Sequence, residues 1–355
     1  MRIVYVVGTR PNLVKMAPVI SALRRRLPDG RHAIVHTGQH YDRLMSEIFL
    51  DELGVATPDH ALGVGSGSHG EQTARVIERL EPVLEIESPD LVLVPGDVNS
   101  TLAAALTAAK MEIRLGHIES GLRSFDRSMP EEINRVVTDQ LSDLLFLHSE
   151  DAEENLRREG VPDERMHFVG NTMIDTLVSL EDRFRSAGAP RRLGLEPGSY
   201  LLVTLHRPAL VDGPLLTDAM RSLAEVGREL PVVFPVHPRT RKMLGPDDEH
   251  LGVTLTDPVG YLDFLSLEAD AAAVLTDSGG IQEETTYLGI PCFTLRANTE
   301  RPVTVRAGTN TVLGLDPARI IEIPERLAGD ARERADAPPL WDGRASRRVA
   351  DVIAG

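Results

Sequence analysis

Two short stretches place small residues at a helix start, the first with two cations, which is one way a chain holds a phosphate. In Gly8-Thr9-Arg10-Pro11-Asn12-Leu13-Val14-Lys15, Pro11 suits an early helical position. Arg10 and Lys15 then lie within about a turn and a half of each other. In Thr276-Asp277-Ser278-Gly279-Gly280-Ile281-Gln282-Glu283-Glu284, Gly279 and Gly280 let the backbone approach a diphosphate closely. The free N–H groups and dipole of the helix that follows Ser278 stabilise its charge. Glu284, on the first turns of that helix, can accept hydrogen bonds from ribose hydroxyls, and Arg301, in Thr299-Glu300-Arg301-Pro302, supplies a further cation.

Three carboxylates stand at strand ends or a helix start. Asp97 follows Leu91-Val92-Leu93-Val94, Glu119 follows Gly116-His117-Ile118, and Glu131 begins Pro130-Glu131-Glu132-Ile133-Asn134-Arg135. Such a cluster suits general acid and base work, although a glutamate in a first helical turn also complements the dipole whatever else it does. His206-Arg207 closes the run Tyr200–Leu205, where a histidine can contact a phosphate or a sugar.

These residues need a scaffold that gathers them, and the hydrophobic pattern supplies one. β-branched runs alternate with amphipathic stretches, the signature of a parallel sheet covered on both faces. The first half gives strands Ile3–Val7, Ala33–Thr37, Leu91–Val94, Arg114–Ile118, Leu144–His148 and His167–Val169, with helices such as Leu13–Leu27 and Thr101–Lys110. After a Pro- and Gly-rich stretch from Ala187 to Ser199 the pattern restarts with Tyr200–Leu205, Val232–Val236, Val253–Thr256, Ala272–Thr276 and Cys292–Leu295. The expected fold class is α/β, two Rossmann-like doubly wound domains facing a central cleft. The N-terminal domain takes residues 1–170 plus a C-terminal helix within 338–355, and residues 171–337 form the second domain. Open α/β sheets bind ligands outside the carboxyl ends of their strands, where these motifs fall.

Composition narrows the function classes. A length of 355 residues exceeds one typical domain, and 42% hydrophobic with 26% charged residues is globular. A net charge of −16 lacks the footprint of nucleic-acid or anionic-membrane binding, so an anionic ligand must rely on a few placed cations. The single Cys292 excludes an intramolecular disulfide. The opening run MRIVYVVGTRP is too short to span a membrane and leads into a turn, so a cytoplasmic location is expected. Gly65-Ser66-Gly67-Ser68-His69-Gly70 matches a dinucleotide fingerprint, but with no convincing strand before it the run reads as a mobile loop. His32 and His36 fall on a strand rather than a helix, which argues for structural histidines over a metal site.

In order along the chain, Gly8-Thr9-Arg10-Pro11, Gly96-Asp97, His117-Ile118-Glu119-Ser120-Gly121-Leu122-Arg123, Pro130-Glu131-Glu132-Ile133-Asn134-Arg135, Gly170-Asn171-Thr172, Asp277 to Glu284 and Glu300-Arg301-Pro302 closely resemble the non-hydrolysing UDP-N-acetylglucosamine 2-epimerase family. The resemblance implies a glycosyltransferase-B-like fold, a homodimer, a UDP-sugar substrate and no metal or redox cofactor. It implies that Arg10, Lys15, Asp97, Glu119, Glu131 and His206 surround the reacting sugar and diphosphate. Phe264, Ser278, Gly279, Gly280, Glu284 and Arg301 match the set that holds UDP, and Val259 falls where the family approaches uracil. The implied route is elimination of UDP to a bound 2-acetamidoglucal followed by readdition, because the C2 proton has no adjacent carbonyl to acidify it.

The sequence departs from the best-known bacterial members at Asn12, Pro95 and the residues after His206-Arg207. Gln39, Glu131 and His237 match parts of those members' second, activating sugar-nucleotide site, whereas Asp42 and Pro238-Arg239-Thr240 differ. A hydrolysing 2-epimerase, a glycosyltransferase of the same fold and a noncatalytic UDP-sugar sensor remain as rivals, and the order of acid and base among the carboxylates stays open.

Overall fold

The computed structural model describes residues 1–38, 49–245, 252–329 and 337–355, which form two compact units, Met1–Ser179 with Pro339–Gly355, and Leu180–Pro338. Gln39 and Asp42 lie outside the described residues.

The first unit carries seven parallel strands: β1 (Arg2–Val7), β2 (Arg31–His36), β3 (His60–Ala61), β4 (Leu91–Pro95), β5 (Arg114–Ser120), β6 (Leu144–Leu147) and β7 (Met166–Phe168). Their spatial order is β3-β2-β1-β4-β5-β6-β7. Helices α1 (Arg10–Arg26), α2 (His69–Glu87), α3 (Asn99–Lys110), α4 (Pro130–Leu141), α5 (Glu150–Arg158) and the start of α6 (Thr172–Ala187) connect and follow them. A strand covered on both faces has no need to alternate, and Leu91-Val92-Leu93-Val94-Pro95 is accordingly buried throughout. Behind it Val4, Val6, Val92 and Val94 share one core cluster with Leu80 and Leu84 of α2 and Ala104 and Ala108 of α3. The alanines let α3 lie close to the sheet.

The second unit repeats the plan with β8 (Leu201–Thr204), β9 (Val232–Pro235), β10 (Thr254–Thr256), β11 (Ala273–Thr276), β12 (Cys292–Thr294) and β13 (Asn310–Val312). They are parallel, in the order β10-β9-β8-β11-β12-β13. Its longer helices are α7 (Leu215–Val226), α8 (Tyr261–Ala269) and α9 (Gly279–Leu288). Leu216, Met220 and Leu223 of α7 pack with Leu201, Val203 and Phe234 of the sheet in one cluster. The two units divide inside α6, whereas the sequence-based boundary at 170/171 lies just before that helix.

The strand order reverses once in each sheet, between β1 and β4 and between β8 and β11. Connections leave these neighbours in opposite directions, which opens a crevice at their carboxyl ends. Gly8 to Arg10 and Gly96-Asp97 follow one such pair, and His206 and Asp277-Ser278 follow the other.

The Gly65–Gly70 run lies between the two-residue β3 and α2, and its second half starts α2. Ser68 accepts from the Glu71 N–H while Glu71 reaches back to the Ser68 N–H at 3.0 Å, a capping box rather than a nucleotide cradle. His32 bonds the Tyr5 hydroxyl at 2.7 Å and the Leu27 carbonyl at 3.0 Å, which makes it a structural ring. No helix among the described residues is long and apolar enough to cross a membrane.

The C-terminal helix α10 (Ala345–Ala354) is fastened to the first unit by Asp175, which accepts from the N–H groups of Ala345 and Ser346 at 3.0 and 2.7 Å. Trp341, 2% exposed, donates its indole N–H to the His148 carbonyl at 2.8 Å. Beside this segment Gly170 has φ +89°, and a Cβ there would run into the Leu340 carbonyl. Gly170→Ala is expected to cost about 2 kcal/mol or more, from left-handed backbone strain plus displacement of the Leu340 segment. Urea denaturation measures it, and a variant as stable as the parent would show that the C-terminal segment is not held against this turn.

Candidate active site

In the first unit the crevice is built around Gly96. Its φ of +64° lets the chain turn sharply off β4, and a Cβ placed on it would sit 3.3 Å from Lys15 Nζ and 3.4 Å from Glu119 Oε2. His117, fully buried in β5, bonds the Gly96 carbonyl through Nε2 at 2.7 Å and Asp139 through Nδ1 at 2.7 Å. Burial alone would raise the Asp139 carboxyl, but His117 and Arg123 more than offset it and hold it below the usual range. The turn that carries Asp97 therefore rests on a rigid buried triad.

Glu119 occupies an irregularity in β5, where the register with β6 shifts between Ile118 and Ser120. Its φ is +67°, a conformation costing a non-glycine residue on the order of 1–2 kcal/mol. The distortion sets its side chain against Lys15, with which it forms a buried ion pair, Lys15 being 7% exposed and Glu119 7%. Strain held at a strand end by a buried charge pair is typical of a functional position. Lys15, Glu119, His148, Asn171 and Thr172 line one recess.

Asp97, half-buried, receives a 2.5 Å bond from Arg135 Nη1, and its backbone carbonyl accepts from Asn134 Nδ2 at 2.8 Å. Arg135 also grips Glu132 at 2.5 Å, and Glu132 in turn accepts from the N–H groups of Ser124 and Phe125 at 2.9 and 2.8 Å. Glu131 lies four residues before Arg135 on α4 and so shares its helix face. Among the described residues Glu131 makes no side-chain hydrogen bond or ion pair; the structure brings Asp97 and Glu119 to one turn, and Glu131 shares a helix face with Asp97's partner Arg135.

Arg10 and Lys15 have different fates. Arg10 is exposed and makes no side-chain hydrogen bond or ion pair among the described residues, whereas Lys15 is committed to Glu119. Asn12, 2% exposed, accepts from the N–H groups of Gly8 and Thr9 at 3.2 Å each and donates to the Pro95 carbonyl at 3.2 Å. It stitches the end of β1 to the end of β4.

In the second unit Asp277 does the stitching. Fully buried at the end of β11, it accepts from the N–H groups of His206 and Arg207 at 2.8 and 2.7 Å and pairs with His206 Nδ1 at 2.9 Å. Burial would raise the Asp277 carboxyl, but these hydrogen bonds and the neighbouring imidazole hold it below the usual range. With Nδ1 committed to Asp277, Nε2 is the other hydrogen-bonding atom of the half-exposed ring, whose centroid lies 5.6 Å from that of His237.

Ser278 N-caps α9 without a side-chain cap, so the first-turn N–H groups of Gly279, Gly280 and Ile281 are not consumed by capping. Arg301 packs so closely on Gly279 that a Cβ there would collide with the guanidinium. Arg301 is not a loose cation, however. It pairs with Glu300 at 2.5 Å and Glu283 at 3.0 Å, and Arg301, Arg296 and Arg207 together overcome the burial of Glu300 and keep its carboxyl far below the usual range. Glu284, 4% exposed, accepts from the Tyr261 hydroxyl at 2.7 Å. Phe264 and Val259 are half-buried against the cluster formed by Tyr200, Leu202 and Val274.

The family model for UDP-N-acetylglucosamine 2-epimerase matches residues 22–354. The chain belongs to the UDP-N-acetylglucosamine 2-epimerase family. A relative of that name from Methanococcus maripaludis is 41% identical over 99% of this chain and 97% of its own. A UDP-2,3-diacetamido-2,3-dideoxy-D-glucuronate 2-epimerase from Pseudomonas aeruginosa is 40% identical, covering 100% of this chain and 99% of its own. The crystal structure of the Methanocaldococcus jannaschii UDP-GlcNAc 2-epimerase in complex with UDP-GlcNAc and UDP superposes with a TM-score of 0.91 at 39% identity, covering 99% of each chain.

Within this epimerase family the sequence signal for site residues was motif order. It pointed to the residues nearest the crevices and passed over those behind them. Arg135 and Asp277 fall inside the same motifs, and the spacing Glu131-Glu132-Ile133-Asn134-Arg135 puts Glu132 and Arg135 on one helix face. Arg135→Met leaves Asp97 and Glu132 without their common cation. It is expected to destabilise the first unit by about 3–5 kcal/mol, read by chemical denaturation; a loss below about 1 kcal/mol would mean that the guanidinium does not hold these acids together.

Proposed function

We propose that this chain inverts C2 of UDP-N-acetylglucosamine, interconverting it with UDP-N-acetylmannosamine. One carboxylate takes the C2 proton while the C1–O bond breaks, its electron pair leaving with UDP, and the product held is 2-acetamidoglucal. Proton delivery to the opposite face of C2 and readdition of the UDP oxygen to C1 complete the inversion. The observation that carries this reading is the pair Asp97 and Glu119 on either side of the Gly96 turn, at the strand-order reversal of a sheet whose counterpart reversal ends in the Ser278-Gly279-Gly280 helix start.

Asp97, Glu119 and Glu131 divide the acid and base work. Arg10, Lys15 and His206 stabilise charge on the departing diphosphate, which the N–H groups after Ser278 receive. Phe264, Glu284 and Arg301 hold or shape the nucleotide end, Arg301 by fixing the turn at Gly279. A homodimer working in the cytoplasm is part of the same proposal, its assembly state read by light scattering. A second reading keeps the reaction and changes the sugar: the 40% identity to a diacetamido-glucuronate epimerase makes a UDP-2,3-diacetamido uronic acid the alternative substrate.

The test is incubation with each UDP-sugar in D₂O, followed by NMR. Deuterium at C2 with UDP still attached is the expected result. Free N-acetylmannosamine would indicate a hydrolase, and an unchanged sugar a transferase or sensor. Asp97→Asn, Glu119→Gln and Glu131→Gln are each expected to lower kcat by about 10²–10⁴. Near-full turnover and deuterium uptake in Asp97→Asn or Glu131→Gln would remove that residue from the mechanism.

A further inference from the structure

Behind the glycine turn of the second unit, α8 presents Tyr261, Phe264, Leu265 and Glu268 at intervals of three and four residues, one helical stripe. The Tyr261 hydroxyl donates to Glu284 Oε1 at 2.7 Å. Glu268, one stripe position further on, is fully buried, and neither of its carboxyl oxygens has a hydrogen-bond partner among the described residues. A charged carboxylate in that setting would cost several kcal/mol, so Glu268 is a neutral acid, and burial together with the nearby Glu284 raises its pKa well above the ordinary value. Glu284 thus stands between a phenol that fixes one of its oxygens and a second acid that carries no charge.

A glutamate has three rotatable bonds. Left alone it would pay rotamer entropy to meet two hydroxyls on a ribose. We propose that Tyr261 is a positioning residue for nucleotide recognition: its hydroxyl locks the Glu284 carboxylate in the orientation that accepts the ribose hydroxyls. The inference deepens the proposed role of Glu284 and rests on it.

The groups facing Glu284 define how this should respond to pH. They are Tyr261 and Glu268 of α8 and Glu283 of its own helix, with Cys292 of β12 beside Glu268. Burial raises Glu284 to about 7, the Tyr261 hydrogen bond pulling the other way. Ribose hydroxyls donate to the ionised form, so UDP affinity is expected to fall as pH drops below about 7 and binding there to release protons. Removing the phenol removes a stabiliser of the anion, which moves that midpoint upward.

The experiment titrates UDP and 2′,3′-dideoxy-UDP into the full chain by calorimetry from pH 5.5 to 8.5, for the parent, Tyr261→Phe and Glu284→Gln. In the parent, loss of both hydroxyls is expected to weaken binding by about 10–100-fold. Tyr261→Phe is expected to reduce that discrimination by about tenfold and shift the pH midpoint up, with kcat for the UDP-sugar changed far less than KM. The ratio is read within one preparation, so a smaller folded fraction cannot imitate it. Discrimination and midpoint unchanged in Tyr261→Phe while Glu284→Gln abolishes discrimination would overturn the role of Tyr261 alone. Discrimination that survives in Glu284→Gln would overturn both Tyr261 and the ribose-holding assignment beneath it.

Discussion

The buried pair of Lys15 and Glu119 is the interaction on which the first crevice depends. Neither charge is tolerable alone at 7% exposure, because removing an ion from water costs several kcal/mol that only a well-placed counter-ion offsets. The pair goes with a β5 that leaves its regular pleat at Glu119 and with Gly96, just past the end of β4, where a φ of +64° turns the chain close beside both side chains. Those two backbone features in turn place Asp97 next to the same spot. A charge pair has thus fixed the local geometry of three chain segments, and the strain at Glu119 is small beside the cost of an unpaired charge in that place.

Both units solve the same problem at the strand-order reversal. Two central strands end side by side and their connections diverge, so backbone N–H and C=O groups at the tips lose their ladder partners. In the first unit the Asn12 side chain serves Gly8, Thr9 and Pro95. In the second the Asp277 carboxylate serves His206 and Arg207. The difference in chemistry matters. A neutral amide at the first reversal adds no charge beside Lys15 and Glu119, whereas the anionic Asp277 at the second orients His206 through Nδ1 near the helix start that is proposed to hold phosphate.

The alternation of buried runs and amphipathic stretches was enough to place eleven of the strands to within about two residues, since strands buried on both faces read as continuous apolar blocks. The two it missed, His60–Ala61 and Asn310–Val312, are short strands at sheet edges, with too few apolar residues to stand out. Start and end signals erred for local reasons. Helix α1 begins at Arg10 because Thr9 takes an extended cap geometry, and β5 runs on to Ser120 because the irregularity at Glu119 lets pairing resume beyond it. The crevice residues were legible because their types recur in order. Their partners were not, because pairing across 38 positions, as between Asp97 and Arg135, leaves no mark in local sequence.

The three acids differ in a way that bears on how a proton could be moved. Glu119 is tied to Lys15 and Asp97 to Arg135, so each is held in place by a neighbouring cation. Glu131 is half-buried at the first turn of α4 and tied to no cation among the described residues. A side chain without a counter-ion is free to turn, whereas each cation-bound acid is held in one orientation. The first crevice thus sets two anchored acids beside one unanchored acid, and the proposed division of acid and base work falls to side chains of unequal freedom.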